Sequence, residues 1–228
     1  MNKLLKQLSV YKTDYTLKNF GQTKPKGNCL PEDGYYVVPT EPMNNITKCI
    51  TIGVGDMIDF EEELSKEYPN INFSFYDGTV DKLPVENDKF TFYKNNVSQI
   101  DISNNKSLNS ILLENKVQNE KTLLKIDCEG AEYNTIPYVN EDLLANVDVL
   151  ILELHWIADH YFEAIELLEQ LNKNYTLIHS HGISWCGTLT INEEKIPNVI
   201  ELTFVNKNID TNNLGNIFYR PEIDKIQY

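Results

Sequence analysis

Three acidic side chains fall within one short run, Lys125-Ile126-Asp127-Cys128-Glu129-Gly130-Ala131-Glu132. The run follows an apolar segment and contains a glycine that can open a helix. Charge of this density is costly to bury alone, so a ligand, a cation or water must lie close to it. Further along, Glu153 and His155 are two residues apart, the spacing that puts two side chains on one face of a strand. His179 and His181 repeat that spacing. A histidine titrates near neutral pH and suits removal of a proton from a hydroxyl. Asp127, His155 and His181 are therefore the candidate catalytic residues, whereas His160 lies inside a helical pattern and is read as structural or solvated. The same groups could instead hold a divalent metal, Mg²⁺ or Mn²⁺, with Asp127 and Glu153 as anchors and His181 as accessory ligand. No tight ligand motif such as H-x-x-E-H occurs, so a metal-free base is favoured.

Two upstream features point to a nucleoside-containing cofactor. Gly53-Val54-Gly55-Asp56 follows a β-rich run, and its two glycines let the backbone approach a ligand closely and turn into a helix. Asp77 follows about 20 residues later, where an acid can hydrogen-bond a ribose diol. Gly53, Gly55, Asp56 and Asp77 are the candidate cofactor-binding residues. A dinucleotide fingerprint would need a third glycine at position 58, which is Ile58; this argues against an NAD-linked oxidoreductase. The G-K-[ST] of a phosphate loop is also absent. A third reading, a non-catalytic cofactor-binding module of the same fold, is opposed by the retention of Asp127, His155 and His181.

The elements that must position these residues alternate along the chain. Strand patterns occur at residues 49–54, 71–76, 89–93, 122–126, 147–154, 175–179 and 199–205. Helical patterns occur at 57–67 and 107–115, in pieces over 131–146 where Pro137 interrupts, and at 156–172 with Ile157, Tyr161, Ala164, Ile165 and Leu168 on one stripe. Residues 147–154 are nearly all apolar, as in a central strand buried on both faces. The alternation predicts a doubly wound α/β fold whose ligands bind at the C-terminal strand ends. A helix-free segment, 182–198, precedes the last strand and allows an antiparallel final pair. Residues 1–45, with turn signals at Pro25, Pro31 and Pro39, read as a prefix that packs on or caps the site; 46–228 read as the main domain.

Composition sets the outer limits. The chain has 228 residues, 41% of them hydrophobic, enough for one cored domain. Its 20 basic and 34 acidic residues give a net charge of −14, which repels phosphate backbones and anionic membranes. A nucleic-acid partner is therefore not expected. No apolar stretch is long enough for a membrane span. Cys29, Cys49, Cys128 and Cys186 form no C-x-x-C pair, and a reducing, cytoplasmic setting is expected. Homo-oligomerisation is left open.

Residues 125–132 closely resemble the K-I-D-x-E-G-A-E signature of the FkbM-type S-adenosylmethionine-dependent methyltransferases. Ile52-Gly53-Val54-Gly55-Asp56, Glu153-Leu154-His155 and Pro197–Val205 are similar to other segments of that family. The resemblance covers residues ~48–206. It implies a Rossmann-like, seven-stranded, mostly parallel sheet with an antiparallel last strand and helices on both faces. It also implies methyl transfer from S-adenosylmethionine to the hydroxyl of a small molecule, often a sugar or nucleotide-sugar in glycan biosynthesis. Gly53 and Gly55 would lie against the methionine part, Asp77 on the ribose, and Asp127 where donor and acceptor meet. At one position the chain departs from many class I methyltransferases: the acid two residues before the first glycine is replaced by Thr51.

Overall fold

The structure is a computed structural model that describes residues 3–21, 35–191, 193–209 and 222–223. The chain opens with helix α1 (Lys3–Gln7), the antiparallel strands β1 (Leu17–Gly21) and β2 (Tyr35–Pro39), and the short helix α2 (Thr40–Met43). Next come β3 (Lys48–Ile52), α3 (Asp59–Glu67), β4 (Asn72–Tyr76), β5 (Phe90–Tyr93), and the small parallel pair β6 (Asn96–Ser98) and β7 (Asn105–Ser107). Then follow α4 (Leu108–Glu114), β8 (Thr122–Ile126), α5 (Glu132–Thr135), a 3₁₀ turn at Ile136–Tyr138, α6 (Glu141–Leu144) and β9 (Val147–Leu154). The chain continues through α7 (Tyr161–Asn174), β10 (Tyr175–Ile191), β11 (Glu194–Asn206) and β12 (Glu222–Ile223).

These strands form an eight-stranded sheet in the order β12-β10-β11-β9-β8-β3-β4-β5. The block from β5 to β9 is parallel, and β11 runs antiparallel to both neighbours. The mostly parallel sheet with its reversed last strand is therefore present. It differs from the expected seven strands by β12, two residues paired with the outer edge of β10, too short to leave a pattern in the sequence. The sixth strand is also longer than expected. Its ladder with β11 continues, after a register shift near Gly187, through Thr188–Ile191, so much of 182–198 is a β-hairpin.

Every residue of β8 and β9 is buried, because layers cover both faces of the sheet. Leu150, Leu152 and Leu154 point to the cluster formed with α1, α4 and α7; Val149 and Ile151 point to the cluster formed with α3 and the β1–β2 pair. The long helix starts at Tyr161 rather than Trp156. Trp156 has φ 52°, and Asn198 of β11 holds the next two backbone N–H groups, so the chain turns before it coils. The N-terminal residues are built into this packing. Leu4 and Leu8 are fully buried, and Tyr11 N–H donates to Leu177 O at 2.8 Å.

The parallel block brings the turns after β3 and β8 into direct contact. Asp127 N–H donates to Ile52 O at 2.9 Å. Gly53 has φ +80°, and a Cβ there would lie 1.5 Å from the Asp127 carbonyl oxygen. Gly55 has φ +57° but open space around it. Gly55→Ala should therefore cost only left-handed strain, about 1–2 kcal/mol, or ~2–8 °C in Tm for a chain of this size. Gly53→Ala adds a backbone clash and should lower Tm by clearly more. Equal melting of the two variants would contradict the close contact.

Candidate active site

A cavity of about 520 Å³ opens at the C-terminal ends of β3, β4, β8 and β9. Gly53, Gly55, Asp56 and Asp77 line it, as do Asp127 and Glu153. The cofactor candidates and two of the acid candidates thus share one hollow, because the parallel strands all release their chains on the same edge.

Asp77 leaves the end of β4 and turns toward the glycine turn. Its Oδ2 accepts N–H bonds from Val54 at 2.9 Å and Gly55 at 3.0 Å. Its Oδ1 accepts from the backbone N–H and the hydroxyl of Thr79, each at 2.6 Å. A carboxylate has about four acceptor positions, and all are engaged. Burial works against this charge, but the bonds from Thr79, Gly55 and Val54 outweigh it and hold the carboxyl below its ordinary range. The sequence places Asp77 at a ribose; in the structure its four acceptor positions are taken by the glycine turn and by Thr79.

Asp127 is the hub of a second network. The Tyr36 hydroxyl from β2 lies 2.8 Å from Asp127 Oδ2 and 3.0 Å from Glu153 Oε2, and its one proton cannot donate fully to both. Burial, with Asp127 and Glu153 alongside, pushes the Tyr36 phenol well above its ordinary value. Burial and Asp127 also raise the Glu153 carboxyl. His155 Nδ1–H donates to Glu132 Oε1 at 3.0 Å, and Glu132 is itself fixed by the Cys128 N–H at 2.9 Å. The other ring nitrogen, Nε2, lies 3.3 Å from Glu153 Oε1 and 3.7 Å from Asp127 Oδ1. Burial disfavours a charged His155, yet Glu132 and Glu153 outweigh it and raise the imidazole to about 11.

His181 does not join this group, contrary to its expected place beside Asp127 and Glu153. It pairs with Glu201 of β11, which pairs in turn with Glu153 of β9. The reversed strand β11 therefore stands between His181 and the cluster. His155, instead of His181, completes a set with Asp127 and Glu153 whose donor atoms lie within 4.8 Å of one another. His179 and His181 sit within a strand rather than at its end, and burial together with His181 lowers His179 to about 4.

Four contributors were not among the candidates: Tyr36, Glu61, Lys125 and Glu132. Lys125 did leave a signal, a charge within the buried run Thr122–Ile126. Its Nζ lies 3.5 Å from Asp127 Oδ2 and 4.4 Å from the centre of the Tyr36 ring. Tyr36 left none, because the sequence gives no sign that a strand 117 residues before Glu153 folds over it.

The sheet order, the reversed strand and the glycine-turn cavity define an α/β fold of the methyltransferase kind. The sequence matches the Methyltransferase FkbM domain over residues 24–177, and the chain belongs to that family. It is an S-adenosylmethionine-dependent methyltransferase. Among solved structures it is similar to precorrin-6y C5,15-methyltransferase from Geobacter metallireducens GS-15, at 13% identity and TM-score 0.41, over 74% of this chain and 87% of that one. It is also similar to the MycE methyltransferase of the mycinamycin biosynthetic pathway, solved with Mg and SAH, at 13% identity and TM-score 0.42. That match spans 78% of this chain and 49% of the MycE chain. No curated protein matches the sequence.

Asp77→Ala removes four hydrogen bonds, two of them to the glycine turn, and should weaken binding of S-adenosylhomocysteine at least ~10-fold by calorimetry. Asp77→Asn, which keeps one acceptor oxygen, should lose less. Because the carboxyl is lowered, its contribution is intact at neutral pH and fades only as the pH falls below about 4. Unchanged affinity in Asp77→Ala would remove Asp77 from the support of this turn.

Proposed function

We propose that the chain methylates a hydroxyl group of a small-molecule acceptor, most plainly a sugar unit of a glycan or of its nucleotide-linked precursor. The observation that carries this reading is the position of Asp127: its carboxylate is one-quarter exposed and faces the cavity that the glycine turn also lines. In this reading the cofactor's methionine end lies along Gly53 and Gly55, and the acceptor enters beside Asp127. The acceptor oxygen attacks the methyl carbon in line with the departing sulfur. The O–C bond forms, the C–S bond breaks, and S-adenosylhomocysteine leaves. Alignment supplies much of the rate, and a base must take the hydroxyl proton as the oxygen attacks.

Asp127 is the base in this account. Lys125 and the Tyr36 hydroxyl contact its Oδ2, and His155 Nε2 lies 3.7 Å from its Oδ1. His181 takes no part in it, since β11 separates it from the cluster. Within the N-terminal prefix, Tyr36 of β2 is the contact to the site in this account. No helix among the described residues is long and apolar enough to cross a membrane. The free thiols Cys49, Cys128 and Cys186 suit a reducing, cytoplasmic setting.

A divalent metal is the second reading, favoured by the set Asp127, Glu153 and His155. The donor types fit Mg²⁺ or Mn²⁺, and the Glu132–His155 hydrogen bond is the kind that orients a metal-binding imidazole. Those three side chains would hold the ion, which would lower the pKa of the acceptor hydroxyl.

Methyl transfer from S-adenosylmethionine to a panel of sugars and nucleotide-sugars tests both readings. Asp127→Asn should lose at least ~10²-fold in kcat, while S-adenosylhomocysteine still binds. Full activity in Asp127→Asn would remove it as the base. Full activity after exhaustive EDTA treatment would remove the metal; loss in EDTA that Mg²⁺ or Mn²⁺ restores would establish it.

A further inference from the structure

We propose that Glu61 and Lys125 together recognise the zwitterionic amino-acid end of the cofactor, with Glu61 standing in for the acid that is missing at position 51. The assignment rests on the cavity being the cofactor site.

Thr51 and Lys125 are register partners on neighbouring parallel strands, and their side chains share the sheet face covered by α3 and β2. Thr51 cannot carry charge, but its hydroxyl donates to Glu61 Oε1 at 2.9 Å. Glu61 reaches this point from the first turn of α3 and is 1% exposed. A carboxylate from the helix therefore occupies the ground that an acid on the strand would take. An acid at position 51 would repel it, so threonine there and glutamate at 61 form one consistent arrangement.

Both charged groups have capacity left over. Glu61 Oε1 is held by Thr51, while Oε2 takes no hydrogen bond from any described residue. Lys125 is 5% exposed, and its ammonium has three N–H groups. Its one hydrogen bond among the described residues, to Asp127 Oδ2, is long at 3.5 Å, and Glu61 Oε1 lies at 3.9 Å. Buried charges of this kind are normally completed by further partners. Both residues line the cavity. A carboxylate and an ammonium side by side complement a ligand that carries an ammonium and a carboxylate on one carbon. The cofactor's α-amino group would sit on Glu61 Oε2 and its α-carboxylate on Lys125.

The test compares two ligands of the full-length protein by calorimetry. S-adenosylhomocysteine carries the amino-acid end; 5′-methylthioadenosine has the same nucleoside and thioether without it. Glu61→Gln should weaken S-adenosylhomocysteine at least ~10-fold, the scale of a charge-assisted bond, and change 5′-methylthioadenosine less than ~2-fold. Thr51→Asp added to Glu61→Gln should recover part of the lost affinity. Retained 5′-methylthioadenosine binding also certifies that the variant is folded. Equal weakening of both ligands, or no weakening of either, overturns the assignment. Wild-type protein that binds neither ligand overturns the cofactor site itself, and this assignment with it.

Discussion

Charge compensation at the ends of β3, β8 and β9 governs how this molecule is built. Glu61, Asp127, Glu132 and Glu153 crowd into one region, with Lys125 and His155 as the cations between them. Desolvating so many charges is tolerable only because each lies beside a group of opposite charge. Removing one partner would strand the next. The surrounding elements serve this requirement: α3 delivers Glu61, β2 delivers Tyr36, and α5 delivers Glu132 from the apolar interior. These four acids outnumber the two cations. A ligand that brings net positive charge, as a sulfonium cofactor does, relieves the imbalance.

The contact between the turns after β3 and β8 links this network to the glycine turn. Because Gly53 has no Cβ, the Asp127 backbone can press against it. Asp77 clasps the same turn from the other side through the Val54 and Gly55 N–H groups. The turn is thus held by one acid at the end of β4 and abuts the backbone of another at the end of β8. Glycine turn and acid cluster are one mechanical unit, the kind of rigid juxtaposition an in-line transfer requires.

Much of this was legible in the sequence, for physical reasons that also explain what was not. The parallel block could be read because β8 and β9 are buried on both faces and therefore continuously apolar. Asp127, Glu153 and His155 could be brought together because chains leaving a parallel sheet emerge on one edge. His181 could not be positioned, since no local pattern reveals that β11 inserts between β9 and β10. The extension of β10 was hidden by its register shift, which breaks the alternation near Gly187. Tyr36 and Glu61 reach the site from elements whose own patterns show only an edge strand and an amphipathic helix. Their roles are tertiary, and only the folded chain displays them.

The central claim is that one cavity holds the cofactor with its sulfur directed at Asp127. A crystal structure of the protein with S-adenosylhomocysteine tests it most directly. The account predicts the amino-acid end between Gly53 and Lys125, the adenosine toward Asp77, and the sulfur facing the Asp127 carboxylate with room for a methyl group between them. A nucleoside bound outside this cavity, or a sulfur turned away from Asp127, would contradict it.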